Sequence, residues 1–138
     1  MIKKISHLGI ATSSISEARK LYEEGFKLGV EHVEEVASQK VKTAFLPVGE
    51  TNVELLEPLG DEGAIAKFLE KNPRGGIHHI CFEVDDIDAA LAHLKAAGVP
   101  LVDQEPRAGA HGMRVAFLHP KGTGGVLIEL AQPGAESD

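Results

Sequence analysis

The sequence predicts an α+β fold built from two tandem βαβββ modules whose strands form a curved, mixed-sheet trough. Three observations carry this. Displaced by 72 positions, the chain matches itself: ISHLGIA (Ile5 to Ala11) falls on IHHICFE (Ile77 to Glu83), and Ala44-Phe45-Leu46 falls on Ala116-Phe117-Leu118. At a displacement of 75, VELLEP (Val53 to Pro58) returns as IELAQP (Ile128 to Pro133), so three extra residues fall near Lys121 to Gly124. Both copies run through the same succession of period-2 and helical patterns, as a duplicated supersecondary unit does.

The first module, 1–60, opens with a strand in which apolar and polar positions alternate. A helix follows, with Ser14 as N-cap in the capping-box pattern SISE (Ser14 to Glu17) and Gly29-Val30 at its exit. VKTAFLP and NVELLEP are its clearest later strands. A connecting helix lies in 61–74, with Ile65, Phe68 and Leu69 inward and Pro73 with two glycines as its stop. The second module, 75–138, repeats the order: a strand, a helix capped by Asp86 and left at Gly98-Val99, then MRVAFLHP and GVLIELAQ. All of 1–138 reads as one domain, because one module alone leaves a whole sheet face exposed and two remedy that together.

Composition sets the class. With 43% hydrophobic and 25% charged residues, no Trp and one Tyr, the chain is globular with an aliphatic core. A formal net charge of -7 argues against nucleic acid or an anionic membrane as the main partner. No apolar run approaches the roughly 18 residues of a membrane span. One cysteine, Cys81, excludes an internal disulfide and fits a reducing compartment, so a cytoplasmic location is expected.

The repeat also places polar residues in matching strand positions. His7 and His79 lie near the starts of the two opening strands, and Glu54 and Glu129 lie in the two closing strands. Alternation puts Cys81 and Glu83 on the side of His79, and the apolar Ile80 and Phe82 on the other. Two imidazoles and two carboxylates form a nitrogen and oxygen shell suited to cobalt(II), manganese(II), nickel, iron(II) or zinc, with positions left for water or substrate. His78 faces the opposite way from His79 and is read as structural or supporting.

At these residues the chain resembles the vicinal oxygen chelate superfamily, whose members include glyoxalases and bleomycin-resistance proteins, and within it the methylmalonyl-CoA epimerases. The resemblance runs nearly end to end, through SHLGIA, VELLEPLG, AIAKFLEKNPRGGIHHICFEVDDIDAAL, GAHG and VAFLHPKGTGGVLIEL. It implies a metal-dependent isomerase that interconverts the 2R and 2S forms of methylmalonyl-CoA through an enolate, in propionate metabolism, commonly as a homodimer. It also implies cobalt(II) as the first choice of ion, ligated by His7, Glu54, His79 and Glu129, with Glu129 acting as one base. The second base is open. Some members carry a glutamate in the strand before the Pro47 turn, where alignment on VKTAFLP puts Lys42; a neutral Lys42 requires burial beside a cation to lower its pKa from about 10.4. Glu35 and His111 are further candidates.

GAHG brings His111 and Gly112 into consideration for the acyl group, and Lys121 and Arg74, with Lys71, for the phosphates of coenzyme A. Two other readings compete. A glyoxalase-type isomerase or dioxygenase uses the same scaffold with a different substrate, and a metal-free small-molecule binding protein dispenses with the four ligands.

Overall fold

The computed structural model describes residues 1–134. The last stretch of the second module, 135–138, lies outside the described residues. Two compact units emerge, one comprising His7–His78, the other Met1–Ser6 with the chain from His79 onward.

The expected order of elements is observed. It runs β1 (Ile2–Ala11), α1 (Ile15–Lys20), β2 (His32–Val36), β3 (Val41–Val48) and β4 (Thr51–Pro58). After α2 (Ala64–Lys71) come β5 (Gly76–Val84), α3 (Ile87–Ala96), β6 (Arg107–Ala108), β7 (Arg114–Phe117) and β8 (Ile128–Gln132).

In the His7–His78 unit the strands lie in the order β2-β3-β4-β1, with β4 parallel to β1 and antiparallel to β3. One sheet face packs on α1 through Ile15, Ala44, Leu46 and Leu55. The other packs on α2 through Ala11, Val41, Leu56 and Ile65, with Phe68 and Leu69 against them. In the second unit β5 runs parallel to β8, β8 antiparallel to β7, and β7 antiparallel to β6. Its main core joins Ile87, Ala90 and Leu91 of α3 to Val84, Ala116 and Leu130. The start of β1 belongs here: Met1 O accepts the Asp85 N–H at 3.3 Å, and Lys3 pairs with Glu83 at 3.8 Å.

Duplication extends to single hydrogen bonds. Ser14 Oγ accepts from Glu17 N at 3.2 Å and Asp86 Oδ1 from Ala89 N at 3.0 Å, so each helix has the side-chain cap that its sequence announced. A second device covers the first N–H of each helix. Glu57 Oε1 accepts from Ile15 N, and Gln132 Oε1 from Ile87 N, both at 2.8 Å.

Two details differ from the sequence expectation. The first helix does not leave at Gly29. It widens into a π-turn over Leu21–Gly25, closed by Phe26 N to Leu21 O at 3.0 Å, and the left-handed exit falls on Lys27 at φ 61°. The second helix leaves as expected, with Gly98 at φ 81°. The second strand of the second module shrinks to the two residues of β6, preceded by Pro106, which has no N–H to give to a ladder.

Candidate functional site

In β4, Glu54 stands opposite Gly9 of β1 and Phe45 of β3. In β8, Glu129 stands opposite Cys81 of β5 and Phe117 of β7. The two registers are equivalent by the repeat, so the duplication that was visible as letters also fixes which side chains meet. Within its own unit each carboxylate meets the histidine of the same module: His7 Nδ1 lies 2.9 Å from Glu54 Oε2, and His79 Nε2 lies 3.0 Å from Glu129 Oε1.

All four are buried, at 6% to 8% exposure. Burying a carboxylate is costly unless it is paired, so the carboxylate that each unit encloses beside an imidazole is a structural burden that a solvated sheet face does not carry. The donor set of each pair, one imidazole nitrogen and one carboxylate oxygen, fits a divalent transition ion.

His79 is further seated by Phe117, whose ring meets the imidazole edge-on at 5.8 Å and 76°. Arg107 lies over that same ring at 5.5 Å, while the Asp103 carboxylate accepts the Phe117 N–H at 2.8 Å and lies 3.4 Å from Arg107. His78 points the other way and packs edge-on against Phe68 at 5.3 Å, which separates the two adjacent histidines by role as alternation required. Cys81, fully buried, packs with Val115 and Ala131.

The register separates Lys42 from Glu54. Lys42 stands opposite Glu35 and Glu57, in phase with Ala44 and Leu46 on the α1 face. Glu54 projects from the other face, with Phe45 and Thr43. Lys42 and Glu35 are therefore not brought to the side of the sheet that carries Glu54. His111 is exposed and holds a left-handed backbone at φ 58°, next to Gly112 at φ 68°. Arg74, Lys71 and Lys121 are exposed, and Lys121 N donates to His119 Nδ1 at 3.0 Å.

Sequence reasoning passed over two basic residues. His32, on edge strand β2, stands opposite Phe45 and stacks on it at 5.6 Å and 25°, while its Nε2 lies 3.2 Å from Glu34 Oε1. Arg107 takes the corresponding place over Phe117. The repeat could not signal them, since position 104, which matches His32, is Gln. Alternation in HVEEV, set in phase with Phe45, was the available signal.

Residues 6–117 match the model of the Glyoxalase/Bleomycin resistance protein/Dioxygenase superfamily. A mitochondrial methylmalonyl-CoA epimerase of Dictyostelium discoideum is 46% identical over 95% of this chain and 79% of its own length. The chain belongs to the methylmalonyl-CoA epimerases. Another relative in that family, the ethylmalonyl-CoA/methylmalonyl-CoA epimerase of Cereibacter sphaeroides, is 44% identical over 96% of this chain and 99% of its own. A solved methylmalonyl-CoA epimerase in complex with methylmalonyl-CoA and NH4+ superposes with a TM-score of 0.93 at 36% identity, covering 100% of both chains. The resemblance read from SHLGIA, GAHG and HPK is thus borne out in both sequence and fold.

Proposed function

We propose that the chain epimerises methylmalonyl-CoA at carbon 2, and that His7, Glu54, His79 and Glu129 together hold one divalent ion, cobalt(II) by preference. The observation that carries the reading is the pair of buried His–Glu contacts in equivalent registers, 2.9 and 3.0 Å, in a chain of this family. When bound, the ion supplies Lewis-acid stabilisation of charge on the thioester oxygen and orients the substrate.

The remaining chemistry belongs to side chains. Carbon 2 lies between a thioester and a carboxylate, so its proton is acidic enough for a carboxylate base acting within hydrogen-bond reach. Glu129 takes that proton from one side. The two C–H bonding electrons pass into the enolate, and return of a proton to the opposite side inverts the centre. Phe117, Phe45 and the apolar strands around the pairs keep water from competing for the planar enolate. His111 and Gly112 meet the acyl portion, and the positive φ of His111 is the kind of backbone strain that binding loops retain. Lys121 and Arg74 meet the phosphates of coenzyme A as point and forked charges.

The same proposal covers a single domain over 1–138, a homodimer, and a cytoplasmic location in propionate metabolism. The lone thiol supports the location, and no helix of the described residues is long and apolar enough to cross a membrane. Incubating a single epimer with the metal-loaded protein and resolving the product by chirality tests the activity. Conversion to an equal mixture of epimers is expected; retention of the pure starting epimer contradicts it.

A further inference from the structure

The substrate of the proposed reaction carries a free carboxylate on the reacting carbon, and an anion enclosed by protein needs a partner there. In the unit that holds Glu129, alternation sends His79, Cys81 and Glu83 of β5, Glu129 and Ala131 of β8, and Val115 and Phe117 of β7 to one sheet face. Arg107 of β6 stands opposite Val115 and joins them. Among the described residues it is the one cationic side chain, the His79 imidazole apart, that these four strands send to that face. Lys3, at the start of β1, is engaged by Glu83 at 3.8 Å.

We propose that Arg107 binds the free carboxylate of the malonyl head group and so makes the site selective for malonyl over simple acyl thioesters. Its guanidinium is fixed from two sides. Cζ lies over the Phe117 ring at 5.5 Å, and Nε lies 3.4 Å from Asp103 Oδ1. Asp103 is itself anchored, since its Oδ2 accepts the Phe117 N–H at 2.8 Å. The ion pair uses neither Nη1 nor Nη2, and no group among the described residues bonds to them. Arg114 is the contrast: it faces away from the site, and Asp88 takes both of its Nη groups, at 3.0 and 3.2 Å. An arginine held in place with its Nη pair open is a preformed fork for a carboxylate. At 48% exposure the side chain is accessible to a ligand.

Distance selects among the anionic groups of the substrate. The Phe117 ring that bears Arg107 at 5.5 Å meets the His79 ring at 5.8 Å, and Phe117 stands opposite Glu129 in the ladder. Those two separations together bound the distance from the guanidinium to the His79 imidazole. With carbon 2 beside Glu129, a carboxylate on that carbon falls within the bound, whereas the pantetheine arm carries the phosphates of coenzyme A beyond it. The contact also serves the chemistry. A carboxylate next to carbon 2 opposes the negative charge of the enolate, and a guanidinium on that carboxylate removes part of the opposition.

The inference rests on the epimerase reading, and its test separates the two. Wild type, Arg107→Gln and Arg107→Lys, all metal-loaded, are titrated by calorimetry with methylmalonyl-CoA and with propionyl-CoA, which has the same coenzyme and thioester but no carboxylate. Metal content is measured on the same samples. Arg107→Gln is expected to bind methylmalonyl-CoA about 10- to 100-fold more weakly, the range for losing a hydrogen bond to a charged group, and to bind propionyl-CoA as wild type does. Arg107→Lys recovers part of the loss, because a point charge replaces a fork. Metal content stays at the wild-type level in both variants.

Equal weakening toward both esters would overturn the assignment, because it would place Arg107 on the phosphates of the coenzyme. Weakening accompanied by loss of metal would overturn it in favour of a structural role through Phe117 and His79. Unchanged affinity of Arg107→Gln for methylmalonyl-CoA would remove Arg107 from the site. A wild-type protein that binds methylmalonyl-CoA no more tightly than propionyl-CoA would contradict the epimerase reading, and the role of Arg107 with it.

Discussion

Glu57 Oε1 accepts the backbone N–H of Ile15 at 2.8 Å, so the end of β4 caps the start of α1 from 42 residues away. Gln132 does the same for Ile87 at the start of α3, across 45 residues. A helix begins with N–H groups that have no partner of their own, and each unit supplies one acceptor from the adjacent helix turn and one from the strand. Glu57→Leu and Gln132→Leu each leave a partly buried donor without that acceptor. Each is expected to lower stability by about 1 to 2 kcal/mol, read as a shift in urea midpoint at unchanged slope. Wild-type midpoints would show that strand and helix are not tied in this way.

Gly75 has φ 81°, and a Cβ there would stand 2.2 Å from the carbonyl oxygen of Ala11. Gly75→Ala therefore brings both left-handed backbone strain and a clash with main chain that no rotamer relieves. A loss of about 2 to 4 kcal/mol is expected in chemical denaturation, the sum of those two penalties. Wild-type stability would contradict the close approach of β5's start to the end of β1.

Lys27 is the opposite case. It holds φ 61° at the exit of the first helix, where a Cβ is a liability, and it lies in the place a glycine usually fills. Lys27→Gly is expected to raise the thermal midpoint and to add up to about 1 kcal/mol of stability. A lower midpoint would mean the lysine side chain holds that turn.

Much of the architecture and the four residues of the two His–Glu contacts were legible because duplication writes the same constraint twice, but which histidine meets which carboxylate was not. His7 with His79, and Glu54 with Glu129, are each other's evidence, and the structure repeats their register as well as their letters. What escaped was whatever the two halves do not share. Lys27 ends its helix two residues before the glycine that looked like the stop, because a π-turn adds a residue that periodicity counts as ordinary helix. Lys42 was placed by a matching strand motif, yet facing depends on parity within a ladder, and one step along a strand changes the face. His32 and Arg107 hold similar places over Phe45 and Phe117 but come from unmatched positions, so no comparison of the halves points to them.

His79→Ala removes one nitrogen donor and strips Glu129 of its 3.0 Å partner, leaving a buried carboxylate with less compensation. The variant is expected to lose metal on gel filtration and at least about a hundredfold in epimerisation, comparable to the effect of disturbing the support of a metal ligand. His78→Ala, which removes a ring packed on Phe68, retains the metal. Metal analysis by elemental mass spectrometry distinguishes the two. Full retention in His79→Ala with loss in His78→Ala would reverse the assignment of the adjacent histidines.

The central claim is proton abstraction at carbon 2 supported by a bound ion, and isotope exchange reads it without waiting for inversion. The protein is incubated with methylmalonyl-CoA in deuterated water, before and after treatment with a chelator and again after refilling with cobalt(II), while the carbon 2 proton signal is followed by NMR. The account predicts rapid loss of that signal, its slowing to the uncatalysed rate on chelation, and recovery on refilling. Signal loss no faster than in protein-free solution, even after cobalt(II) is supplied, would contradict it.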